Sequence, residues 1–144
     1  MSHLVFSGLF DRHPHLRIVT HHMGAMIPYF AGRVEQGWEE MGTRTPPADA
    51  RLLPKPLKKR PSEYFKMFYA DTALSGSTPA TRCGLDYFGE RQVVFASDFP
   101  FEAEGGAYLI RETVRGIDEL NLSPSTRAAI HRHNLMRLLA PMLN

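Results

Sequence analysis

The sequence predicts an α/β fold built on a parallel sheet. Three largely apolar runs lie near residues 16–20, 66–70 and 92–97, the first of them β-branched, and a helical pattern follows each. The first and third runs end in residues suited to acid–base or metal chemistry, His21-His22 and Asp98. In α/β folds such strand ends are where ligands and chemistry sit. The chain of 144 residues is long enough for one domain with a real core. Apolar residues make up 43% and charged residues 22%, which fits a folded globular chain and not a disordered one.

The first element is a helix from Ser2 to Arg12, with Leu4, Val5, Leu9 and Phe10 at helical spacing and Gly8 as its weak point. His13-Pro14 stops it, because a residue before proline is pushed out of the helical region. The helix begins almost at residue 1, which reads as an element whose neighbours lie upstream. Leu16 to Thr20 is the first strand, apolar on both faces as in a covered parallel sheet. By alternation, Leu16, Ile18, Thr20 and His22 share one face, and Arg17, Val19 and His21 the other. The two histidines therefore cannot both face one site while the strand stays regular. Gly24 eases a turn, and Pro28 suits the first turn of a helix from Tyr29 to Met41 closed by Gly42. Tyr29, Val34, Trp38 and Met41 supply its apolar stripe.

Residues 43–60 hold Pro46, Pro47, Pro54 and Pro56 with Arg51, Lys55, Lys58, Lys59 and Arg60. They read as an exposed loop between helix and strand, with a lid or a subunit contact as the functional alternative. Pro61 to Phe65 gives one helical turn, and Lys66 to Ala70 is the second strand, ending at Asp71. Ser77 and Pro79 start a helix that runs to Phe88 and closes at Gly89. Gln92 to Ser97 is the third strand. Gly105-Gly106 precede a helix from Ala107 to Leu120. Ser123-Pro124 cap a helix to about Asn134, and Leu135 to Leu139 continue as a short terminal piece.

Composition also excludes. A net charge of +2 and a basic loop without interleaved aromatics give no footprint for nucleic-acid binding. No apolar run approaches a membrane span, and the N-terminus has no signal-peptide pattern. The single cysteine, Cys83, rules out an internal disulfide framework and fits a reducing compartment, so a cytoplasmic location is expected. Cys83 reads as packing, since only Arg82 stands beside it as an activator.

Among the chemistry-bearing residues, His22 is an acid/base or metal ligand in one reading and a hydrogen-bonded structural histidine in the other. Asp98 is a metal ligand or a turn aspartate. Asp71 shares the strand-end position, as a cap or as support for a neighbour, and His21 is placed in the same supporting role. Arg33 is a surface arginine or a clamp for a carboxylate. His131 and His133 lie near a helix end and read as surface residues.

Several stretches resemble one known family. Ser7 to Gly24, Pro28-Tyr29 through Gly32-Arg33, Phe68 to Ala73, Gly84 to Gly89, Val94 to Pro100, and Leu120 with Ile130 to Leu139 follow one another in its order and spacing. The chain resembles the amidohydrolase superfamily, in the branch of aminocarboxymuconate-semialdehyde and γ-resorcylate decarboxylases. That resemblance implies a metal-dependent (β/α)8 barrel, of which residues 1–144 are the C-terminal portion, about strands 6–8. It implies a decarboxylase of unsaturated or aromatic acids, or less commonly a hydrolase. It implies a divalent metal, zinc first, with manganese or magnesium as alternatives, and a homodimer. His22 then matches the catalytic histidine, Asp98 the metal-binding and catalytic aspartate of strand eight, and Arg33 an arginine reaching the substrate carboxylate of an adjacent subunit. The family's His-x-His pair of strand one and its strand-five histidine have no counterpart. His13-Pro14-His15 has the pair's spacing, but at the wrong end of a strand. The chain is thus expected to be a fragment that is active only in the complete protein, or a silent one that associates with partner chains.

Overall fold

The computed structural model describes residues 1–53 and 55–142. Pro54, counted in the proline-rich loop, lies outside the described residues. The expected alternation is present. Three parallel strands, β1 (Val19–Thr20), β2 (Tyr69–Asp71) and β3 (Val93–Val94), pair in chain order. Val19 pairs with Tyr69 and Thr20 with Ala70, then Ala70 with Val93 and Asp71 with Val94. Among the described residues, eight α-helices surround them: α1 (Ser2–Phe6), α2 (Leu9–Arg12), α3 (Ile27–Glu39), α4 (Pro61–Phe65), α5 (Thr78–Phe88), α6 (Ala107–Asp118), α7 (Pro124–Ala128) and α8 (Asn134–Leu139).

All three strands are shorter than the sequence implies, because the ladder forms only where a parallel partner stands opposite. Residues 66–68 extend the turns of α4 instead, with Lys66, Met67 and Phe68 amides bonding back to Ser62, Tyr64 and Phe65. Past β3 the Phe95 amide turns to the carbonyl of Ile130, and the Ala96 amide to the Thr72 hydroxyl. The N-terminal helix is two helices, since Gly8 takes a left-handed φ of 70° and breaks the register. The last helix is interrupted by a π turn at Ala129–His133, which frees the Ile130 carbonyl to accept from Phe95. Ser123 caps α7 by accepting from the Thr126 amide. Ser77 holds the N-cap position of α5, but its hydroxyl makes no cap bond. The helix after Gly105-Gly106 ends at Asp118, two residues short of Leu120.

Phe65, Phe68, Ala70, Val93, Ile117 and Ile130 form the centre of the core, joined by Val5 and Phe10 from the first two helices. α3 departs from expectation: it runs Ile27–Glu39 and buries no residue fully. It packs on α4 and α5 along one side only, so Tyr29 stays 77% exposed. Met26 and Met41 are exposed as well, while Trp38 stacks on Phe6 at 5.2 Å. The loop of residues 43–60 is exposed but tethered. Pro47–Leu52 form 3₁₀ turns, Lys58 donates its amide to Asp11, and Lys59 donates its amide to the Tyr64 hydroxyl. The Tyr64 hydroxyl donates in turn to Asp11, which holds that carboxyl below its ordinary range. No described helix is long and apolar enough to cross a membrane.

Candidate functional site

The site forms where the chain leaves the C-terminal ends of the three strands. β1 stops at Thr20, and His22, Met23 and Gly24 then take left-handed φ values of 51°, 52° and 75°. For the two residues with side chains this costs roughly 1–2 kcal/mol each. Packing holds the turn against that cost. Met23 is buried in a notch on α5, where a β-carbon at Gly84 would fall 1.9 Å from the Met23 Cγ. Gly24 lies so close to the Phe88 ring that its own β-carbon would sit 2.8 Å away. Burial of a methionine side chain returns about 1.5–3 kcal/mol.

The turn undoes the strict alternation expected of a strand. His21 and His22 come to the same end of the sheet, their rings 6.0 Å apart. His21 places Nδ1 3.5 Å from the Asp71 carboxylate, and His22 places Nδ1 3.5 Å from that of Asp98. His22 Nδ1 also lies 2.8 Å from the Ala73 carbonyl oxygen. A carbonyl can only accept, so this nitrogen carries the proton. The other ring nitrogen, Nε2, is left with its lone pair free in the neutral form. The Ala73 carbonyl, and behind it the negative charges of Asp98 and Asp71, raise the His22 pKa above its usual value against the effect of partial burial.

Asp71 is almost wholly buried at the end of β2 and accepts the Ala73 amide at 3.1 Å. Asp98 follows β3 with a left-handed φ of 63°, leaving its carboxylate partly open. Next to it Phe99 and Phe101 are exposed. A cleft of about 270 Å³ opens beside His22. Met23, Pro28, Tyr29 and Leu74 line it, with Pro79 and Cys83 from α5. Cys83 is a half-buried wall residue of this cleft.

The structure thus brings His22, Asp98, His21 and Asp71 together. It does not bring Arg33 to them: that residue is exposed on α3 and is no part of the cleft wall. His13 and His15 stand in the turn before β1, at the opposite end of the strand. Among the described residues no group of three or more His, Cys, Asp or Glu is gathered closely enough to hold a metal ion. Sequence reasoning missed Thr72, Ala73 and Gly84. A glycine inside a helical pattern was the available signal for the last; a backbone carbonyl leaves none.

A protein-family profile for amidohydrolases matches residues 1–140. The γ-resorcylate decarboxylase of Rhodococcus jostii is 33% identical over 138 residues, covering 94% of this chain and 37% of its own length. Among solved structures, the 5-carboxyvanillate decarboxylase of Sphingomonas paucimobilis superposes with a TM-score of 0.76 at 30% identity, over 95% of this chain and 37% of that one. A dihydroxybenzoic acid decarboxylase from Polaromonas, with bound manganese and the inhibitor 2-nitroresorcinol, gives a TM-score of 0.72 at 25% identity, over 95% and 37%. The chain therefore spans 37% of the length of the first of these relatives.

Proposed function

The chain belongs to the amidohydrolase family, and on that premise we propose that it supplies part of the active site of a metal-dependent decarboxylase acting on an aromatic or unsaturated carboxylic acid. The observation that carries this reading is the His22–Asp98 pair at the strand ends, with His22 held so that Nε2 faces away from its backbone anchor. Three sequential parallel strands with helices between them support the companion reading of the fold, strands six to eight of a (β/α)8 barrel.

Decarboxylation breaks the bond between the ring carbon and the carboxylate. Carbon dioxide leaves, and the electron pair stays on the carbon until a proton arrives. His22 can deliver that proton from Nε2, because its raised pKa keeps a share of it protonated near neutrality. Asp98, 3.5 Å from Nδ1, stabilises the imidazolium.

Asp98 is the residue that would hold the divalent cation; when bound, such an ion neutralises and orients the acidic groups of the substrate. The relative from Polaromonas carries manganese, which favours manganese over the zinc expected first. The described donors do not complete a site, since no group of three is assembled. The remaining ligands come from residues outside these 144. That incompleteness favours a second reading of the isolated chain: it is silent alone and acts only with the polypeptide that carries the other ligands. Arg33, exposed on α3, is available to a neighbouring subunit's substrate in a homodimer.

Carbon dioxide release from 2,6-dihydroxybenzoate by the complete, manganese-loaded protein tests the proposal. Release that falls about 10²-fold or more in His22→Asn supports the assignment of proton transfer. Addition of water without carbon dioxide release would replace the decarboxylase with a hydrolase.

A further inference from the structure

Asp71, the last residue of β2, and the Thr72 and Ala73 that follow it touch every arm of the site. Asp71, at 4% exposure, accepts the Ala73 amide on Oδ1 and faces His21 with Oδ2. Thr72, at 2% exposure, donates its hydroxyl to the Ala96 carbonyl at 2.8 Å and accepts the Ala96 amide at 3.0 Å. Ala73 turns its carbonyl to His22 Nδ1. One residue, Ala73, is thus held by Asp71 at its amide and turns the carbonyl of its next peptide to His22. One hydroxyl pins the backbone two residues before Asp98. His22 comes from the β1 arm and Asp98 from the β3 arm, and no strand ladder joins those arms at this level.

We propose that the Asp71-Thr72-Ala73 tripeptide is the positioning element of the site: it fixes His22 with its proton on Nδ1 and sets the separation of His22 from Asp98. This rests on the reading of His22 and Asp98 as the reacting pair. The physical reason is the number of constraints. A half-exposed imidazole on a left-handed turn has ring-flip and tautomer freedom. A carbonyl on a residue whose amide is anchored by a buried carboxylate removes both. Likewise the Asp98 arm has left the sheet, and the Thr72 hydroxyl replaces the missing ladder with two bonds.

Asp71 and Thr72 are positioning residues by this account, and their effect is readable without any turnover. Long-range ¹⁵N NMR of the histidine side chains in the 144-residue protein, above the pH at which His22 titrates, reports the tautomer directly. The wild type is expected to show His22 protonated on Nδ1. Asp71→Asn keeps an oxygen to accept the Ala73 amide, so the tautomer should be retained; Asp71→Ala removes that acceptor and should raise a substantial Nε2–H population. For the other arm, Thr72→Val should shift the Asp98 and Phe99 amide signals, and Thr72→Ser should restore them. Two results would overturn the proposal: a folded Asp71→Ala with the wild-type tautomer, or a Thr72→Ser spectrum no closer to wild type than that of Thr72→Val. If Asp71→Ala does not fold, Asp71→Asn decides alone, because loss of the tautomer there would assign the effect to charge and refute positioning through the anchored Ala73 residue. Failure of the decarboxylase reading would appear in carbon dioxide release and leave these spectra unchanged.

Discussion

Gly84→Ala is the most discriminating single substitution, because two physical effects predict opposite signs. Gly84 lies inside α5, where alanine is favoured over glycine by about 1 kcal/mol from helix propensity alone. The packing argument opposes this. A β-carbon there would meet Met23 Cγ at 1.9 Å and Sδ at 2.5 Å, and neither distance can be accommodated in place. Met23 must leave its notch, which forfeits about 1.5–3 kcal/mol of burial. The left-handed turn at His22 and Met23 then loses its clamp. The net expectation is destabilisation by about 0.5–2 kcal/mol, seen as a fall of about 0.25–1 M in the urea midpoint for a chain of this size. Gly37→Ala is the internal control. That position is exposed in α3, with nothing within 4 Å of a new β-carbon, and should gain about 0.5–1 kcal/mol. A Gly84→Ala protein as stable as Gly37→Ala would refute the claim that Met23 packing holds the histidine turn.

Two further outcomes follow from the same geometry. Asn134, 1% exposed, donates to the carbonyls of Glu90 and Val93 at 2.7 Å each and ties the last helix to β3. Asn134→Ala strands both acceptors and should cost about 2–4 kcal/mol in urea or thermal unfolding; a loss under half a kcal/mol would show the tie to be idle. His22 holds its proton above its ordinary pKa of 6.5. Its contribution to stability is therefore fully present below about pH 6.5 and is lost as pH rises through the raised value. The gap in urea midpoint between His22→Ala and wild type should be wider on the acid side and narrow as pH rises through the raised value; a constant gap would contradict the sign.

Much of the fold was legible because it rests on local signals. Pro28, Pro61, Pro79 and Pro124 open helices where expected, and the Val93–Val94 run lies in a buried strand. Strand lengths were not legible, since they depend on which partner stands opposite. The Phe95 amide illustrates this: a carbonyl 35 positions away in the chain, on a π turn, captures it. The site was half legible. His22 and Asp98 announce themselves as polar residues closing apolar runs, and the structure sets them 3.5 Å apart. His21 is given a supporting role by the sequence, and its Nδ1 stands 3.5 Å from the buried Asp71 carboxylate. Thr72 and the Ala73 carbonyl matter only through three-dimensional contact, which no spacing encodes. Periodicity marks the apolar stripe of α3 but not what covers it, and Tyr29 lies open to solvent.

By the proposal above, His22 and Asp98 belong to one metal-bearing site. Titration of the 144-residue protein with Mn²⁺, followed by paramagnetic broadening of its NMR signals, checks this. The account predicts weak binding, because the donor set is incomplete, with His22 and Asp98 broadened first and the effect abolished by Asp98→Ala. Broadening centred elsewhere, or unchanged in Asp98→Ala, would contradict it.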